Sequence, residues 1–120
     1  MRNLITITSA NFEQVIAEND IVILDFWAQW CQPCLAFTPI FEQVASEHPD
    51  IVFAKVNTEE SQDLASEFAI RSIPTLMVFR QKILLFNESG MLPAVALKDL
   101  IEQAQALDMH EVLANLGKAG

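Results

Sequence analysis

Two cysteines stand two residues apart in Trp30-Cys31-Gln32-Pro33-Cys34, and the 120-residue chain has no others. That spacing lets the two sulfurs close a small disulfide loop across the first turn of a helix. The residues on either side say that such a helix begins there. Ile21 to Trp27 is an apolar run broken by one acid, Asp25. A run of this kind, rich in β-branched and aromatic residues, reads as a strand buried on both faces. After the cysteines, Leu35, Phe37, Ile40, Phe41, Val44 and Ala45 recur at helical spacing. Cys31 therefore sits where a central strand gives way to a helix. A helix N-terminus offers unpaired N–H groups and a partial positive charge, and both favour a thiolate. Pro33 suits a first helical turn, where a missing N–H costs nothing. The chemistry this implies is thiol–disulfide exchange. Cys31, at the edge of the loop beside Trp30, is expected to attack a substrate disulfide. Cys34, a turn inside the helix, is expected to resolve the mixed disulfide.

Other uses of a cysteine pair fit less well. A zinc site needs two more ligands, and the two histidines, His48 and His110, lie far apart in no ligand pattern. An all-cysteine cluster lacks its other ligands. Haem attachment needs a histidine after the second cysteine, where Leu35 stands. No bound metal or cofactor is expected.

The segment Phe26-Trp27-Ala28-Gln29-Trp30-Cys31-Gln32-Pro33-Cys34 closely resembles the active-site segment of the thioredoxin family. Asp25, Lys55 and Ile73-Pro74-Thr75 extend the resemblance, which reaches over roughly residues 3–107. It implies roles for further residues. Asp25, which could instead be an edge residue facing water, would accept the proton of Cys34. Lys55, otherwise a snorkelling lysine, would modulate the charge of Asp25. Pro74 would be cis and face the disulfide. Trp30, Ile73 and Gly90, with Gln32 and Pro33 beside them, would then form an apolar shelf. An extended substrate segment could lie there by strand addition. The sequence departs from the family at Gln32 and Ser72, where glycines are usual, at Leu35, where lysine is common, and at Lys82, where a hairpin glycine is usual.

The elements that must position these residues follow from pattern. Ile5–Ile7 alternates as a short strand, and Ser9 could cap a helix over Asn11–Ala17. Ile51–Val56 is a third strand, and Ser61–Phe68 a short acidic helix. Thr75–Phe79 and Lys82–Phe86 are strands joined closely enough to be antiparallel. Pro39 lies inside the helix after the cysteines and His48-Pro49-Asp50 ends it. Pro93 opens a helix with Leu97, Leu100, Ile101 and Ala104 inward. The order β-α-β-α-β-α-β-β-α argues for an α/β sandwich. In the resemblance this is a thioredoxin fold, with a mixed five-stranded central sheet and helices on both faces. Residues 1–107 would be that domain and 108–120 an amphipathic C-terminal extension. In the extension Met109, Val112, Leu113 and Leu116 recur at helical spacing, Asp108 could cap the helix and Gly117 stop it. Its apolar face should either pack back on the domain or dock a partner.

Composition bounds the setting. Sixteen acids against seven bases give a formal net charge of −9, unsuited to nucleic acid or anionic membrane. No apolar stretch is long enough to span a bilayer and no signal peptide is visible. Two cysteines give no structural disulfide framework, which points to the cytoplasm. The expected function is a cytoplasmic thiol-disulfide oxidoreductase that donates electrons to protein disulfides. The resemblance implies recharging by a thioredoxin reductase, a flavoenzyme drawing on NADPH, and a monomeric chain. A thioredoxin-fold adaptor or holdase using the shelf around Trp30 and Pro74 is the alternative. An oxidant or isomerase, which an export signal would favour, comes third.

Overall fold

The computed structural model describes residues 3–119. Met1, Arg2 and Gly120, at the outer ends of the two expected segments, lie outside the described residues. The elements run β1 Leu4–Thr6, α1 Phe12–Glu18, β2 Ile21–Trp27, α2 Gln32–Ser46, β3 Val52–Asn57, α3 Gln62–Glu67, β4 Thr75–Arg80, β5 Ile83–Ser89, α4 Ala94–Ala106 and α5 Met109–Ala119. The strands form one sheet in the order β1-β3-β2-β4-β5. β1, β3 and β2 are parallel; β4 runs antiparallel to β2 and β5 antiparallel to β4. This is the mixed five-stranded sheet expected.

β2 lies at the centre, which explains a run that is apolar but for Asp25. Side chains alternate across a strand. Ile21 and Ile23 meet Phe37, Phe41 and Val44 of α2 and Leu97 and Ile101 of α4 on one face. Val22, Leu24 and Phe26 meet Ile16 of α1 and Leu64 of α3 on the other. Asp25 falls in the same alternation as Ile21 and Ile23, so it points to the face that α2 and α4 cover. The edge position open to water is thereby overturned: Asp25 is fully buried.

Some expected ends move. Ser9 does not cap α1. Asn11 is the cap residue; its Oδ1 accepts from Thr8 N at 2.8 Å and its Nδ2 donates to the Thr6 carbonyl at 3.0 Å. The side chain thus ties the β1 exit to the helix. Pro93 is the residue before α4, not its first. Asp108 does cap α5, its Oδ1 accepting from His110 N at 3.0 Å and Glu111 N at 3.3 Å. Gly117 does not stop that helix, which runs to Ala119. Of its apolar stripe Met109 is buried and Val112 half-buried, but Leu113 and Leu116 stay exposed. Among the described side chains of this stripe, those that pack back on the domain lie in the first turn.

Candidate active site

The end of β2 delivers the chain to the site. Ala28 is buried behind it, and the Cys31 amide donates to the Ala28 carbonyl at 3.2 Å. Cys31 is the N-cap residue of α2, so Gln32 and Pro33 take the first two helical positions, both exposed. Cys31 and Cys34 are joined by a disulfide, with Cα atoms 5.2 Å apart. The backbone amide of Cys34 donates to Cys31 Sγ at 3.2 Å. Sulfur here takes the place that a Ser or Asp oxygen takes at an ordinary N-cap. Cys31 keeps 4% exposure and Cys34 has none.

The loop before β4 closes the other side. The Ile73–Pro74 peptide is cis. The Ile73 carbonyl oxygen lies 3.7 Å from Cys31 Sγ. The Gly90 amide donates to the Pro74 carbonyl at 2.8 Å, which brings Gly90 to the same end of the sheet. Gly90 has φ +108°, a backbone that side-chain-bearing residues rarely adopt. Trp30 and Ile73 line a groove of about 310 Å³ with Thr58, Ala65, Ile70, Arg71 and Ser72. Trp30 is 66% exposed, and its indole Nε1 donates to Glu59 Oε1.

Beneath the disulfide lies one charged layer. Asp25 and Lys55 are direct neighbours across the parallel β2–β3 pair. Among the described residues neither oxygen of Asp25 has a protein hydrogen-bond partner. Burial pushes its carboxyl up from 3.8 to about 7, with the nearby Lys55 charge acting in the opposite direction. The Lys55 ammonium donates to Thr38 Oγ1 at 2.9 Å and stands 4.3 Å from the centre of the Trp27 ring.

The structure thus brings Cys31, Cys34, Gln32, Pro33, Ile73, Pro74 and Gly90 to one end of the sheet, with Trp30 over the groove and Asp25 and Lys55 below. Sequence reasoning missed Thr38, Glu59 and Arg71. Glu59 had a local signal: Asn57 at the end of β3 turns the chain, its Oδ1 accepting from the amides of Glu59 and Glu60. Among the described residues no group of three or more His, Cys, Asp or Glu side chains could share a metal ion. No helix there is long and apolar enough to cross a membrane.

Comparison with known proteins is consistent over nearly the whole chain. The family model of thioredoxin matches residues 3–103. A curated Streptomyces coelicolor protein assigned to the thioredoxins is 47% identical over 112 residues, covering 93% of this chain and 84% of that one. Thioredoxin 1 of Synechococcus elongatus is 40% identical over 106 residues, with 87% and 94% covered. Among solved structures, a mutant thioredoxin from Halobacterium salinarum superposes with a TM-score of 0.80 at 35% identity. That match covers 88% of this chain and 93% of the other.

Proposed function

The chain belongs to the thioredoxin family and is a protein thiol-disulfide oxidoreductase, and from that premise we propose how its residues divide the work. In the reduced protein the Cys31 thiolate attacks one sulfur of a substrate disulfide. A Cys31–substrate disulfide forms and the other substrate sulfur leaves as a thiolate. Cys34 then gives up its proton to Asp25 and attacks Cys31 Sγ. The second substrate sulfur leaves with its electron pair, and the Cys31–Cys34 disulfide remains. Two electrons have passed to the substrate. The observation that carries this reading is the Cys34 amide aimed at Cys31 Sγ at the start of α2, which stabilises negative charge on that sulfur.

Trp30, Gln32, Pro33, Ile73, Pro74 and Gly90 form the surface on which an extended substrate segment lies. Lys55 tempers the charge of Asp25. The unit that does this is the domain up to Leu107, with residues 108–120 an addition to it. The oxidised form is recharged by a thioredoxin reductase, a flavoenzyme drawing on NADPH, and the chain acts as a monomer. Two cysteines, both in the exchange site, and no disulfide holding the fold suit a reducing cytoplasm. A coupled insulin-reduction assay with a thioredoxin reductase and NADPH tests the whole reading. Sustained NADPH consumption dependent on both cysteines is the expected result. Binding of insulin without turnover would overturn it.

A further inference from the structure

We propose that Thr38 is a positioning residue for the exchange reaction: its hydroxyl tethers the Lys55 ammonium to the carbonyl of Cys34 and so holds it out of a direct ion pair with Asp25. The directions of the hydrogen bonds carry the argument. Thr38 Oγ1 donates to the Cys34 carbonyl oxygen at 3.1 Å, which uses its one proton. Its lone pairs then face outward, and Lys55 Nζ donates to them at 2.9 Å. A helical threonine bonding the carbonyl four residues back is ordinary. A lysine amine held on top of that bond is not accounted for by helix geometry. The same ammonium stands over the Trp27 ring, so it has two anchors, neither of them the carboxylate beside it.

The consequence falls on Asp25. Lys55 is its cross-strand neighbour and could pair with it, yet neither carboxylate oxygen has a protein partner among the described residues. A direct pair would favour the ionised form strongly. Held by Thr38, Lys55 acts on Asp25 only through its field, and the carboxyl keeps a proton affinity suited to exchanging one near neutral pH. Across the sheet the register partners of Asp25 are Lys55 on β3 and apolar Leu76 on β4. α2, which covers this face, carries Thr38 and Cys34, and the cysteines are joined in the oxidised protein. The functional weight of the tether rests on Asp25 being the acceptor of the Cys34 proton.

The test is a carboxyl-carbon NMR titration of Asp25 in the oxidised protein, where the cysteines do not titrate. Thr38→Val removes the hydroxyl and keeps the shape. Lys55 is then free to pair with Asp25, and the Asp25 midpoint falls by about one pH unit or more. Thr38→Ser, which keeps the hydroxyl, leaves the midpoint near that of the parent. In a Lys55→Met background Thr38→Val has no further effect, because there is no ammonium to release. Thr38→Ala serves equally where the valine variant does not fold. An Asp25 midpoint unmoved by loss of the hydroxyl overturns the tether, as does an equal fall in the Lys55→Met background. A shifted midpoint with an unmoved pH–rate profile for disulfide reduction keeps the tether and overturns the proton-acceptor role of Asp25 instead.

Discussion

The backbone amide of Cys34 points at the sulfur of Cys31, so the first cysteine caps the helix that carries the second. The two sulfurs are therefore inequivalent before any substrate arrives. Cys31 receives the amide and the positive end of α2; Cys34 lies one turn inside with no exposed surface. We expect iodoacetamide to label Cys31 first in the reduced protein at neutral pH. Peptide mapping checks this, and preferential labelling of Cys34 would sink the assignment. Cys34→Ser should accumulate stable mixed disulfides with substrate, visible on a non-reducing gel, because the resolving thiol is gone.

Asp25 makes stability depend on pH in a direction unusual for a carboxylate. Its ordinary value is 3.8 and its value in the fold is about 7. Between those values the folded chain holds a proton that the unfolded chain has lost. Stability from this group is thus full below about pH 4, falls as pH rises to about 7, and is level above. A shift of about three pH units corresponds to something on the order of 4 kcal/mol. Asp25→Asn stays neutral throughout and should remove the slope. The expected gain is about 2–4 kcal/mol at pH 8, shrinking towards zero at pH 4. Urea melts across that range decide the matter: an equal gain at both ends would mean that ionisation of Asp25 is not the cause. The same variant should reduce disulfides more slowly.

Much of this arrangement was legible in the sequence, for reasons that differ by residue. β2 was readable because a central strand is apolar on both faces. The cysteines were readable because strand and helix meet at them. The Asp25–Lys55 pairing came from family resemblance, since the register of two parallel strands is set by crossover geometry that no local pattern encodes. Thr38 was silent. One threonine on an amphipathic helix carries no periodic signal, and its partner lies 17 residues away on β3. Ser9 and Asn11 are both good caps by type. Asn11 takes the cap position although its side chain bonds no amide of α1; it ties the exit of β1 through Thr8 N and the Thr6 carbonyl instead.

Gln32 is the departure that touches the chemistry. It is the first residue of α2 and is exposed, between a capping sulfur and Pro33. Gln32→Gly loosens the backbone whose amides stabilise charge at Cys31. A change in redox potential is expected, without a preferred sign. For this couple about 30 mV corresponds to roughly 1.4 kcal/mol. Titration of both forms in glutathione buffers measures it, and identical potentials would make Gln32 a surface substitution only.

The hairpin between β4 and β5 is built from residues ill-suited to it. Gln81 and Lys82 have φ of +52° and +71°, both left-handed, and Arg80 pairs with Ile83 across the two-residue loop. That geometry belongs to a primed turn, for which Asn-Gly is preferred. A left-handed conformation costs a side-chain-bearing residue roughly 1–2 kcal/mol. Gln81→Asn with Lys82→Gly should therefore stabilise the fold by about 1–2 kcal/mol. The loop lies at the end of β4 remote from Thr75, where that strand meets the site, so insulin reduction should not change. Denaturant midpoints read the first effect, and a variant no more stable than the parent would count against the turn assignment.

The C-terminal helix was readable as a stripe, but periodicity finds an apolar face without saying what covers it. Met109 is 6% exposed, whereas Leu113 and Leu116 are 48% and 50% exposed. The stabilising contact is concentrated in the first turn. The end of α4 has a second support, because the Arg80 guanidinium donates to the carbonyls of Ala104, Gln105 and Leu107. Two truncations separate these contributions. Ending the chain after Leu107 removes Met109 and should cost about 1–2 kcal/mol, lowering the melting temperature by several degrees. Ending it after Val112 keeps Met109 and should leave stability within about 0.5 kcal/mol of the parent. Both should still reduce insulin, since Cys31, Cys34 and Asp25 are untouched. Equal losses from the two truncations would show that the outer turns of α5 contribute packing of their own, and a folded but inactive truncation would place the helix in the reaction itself.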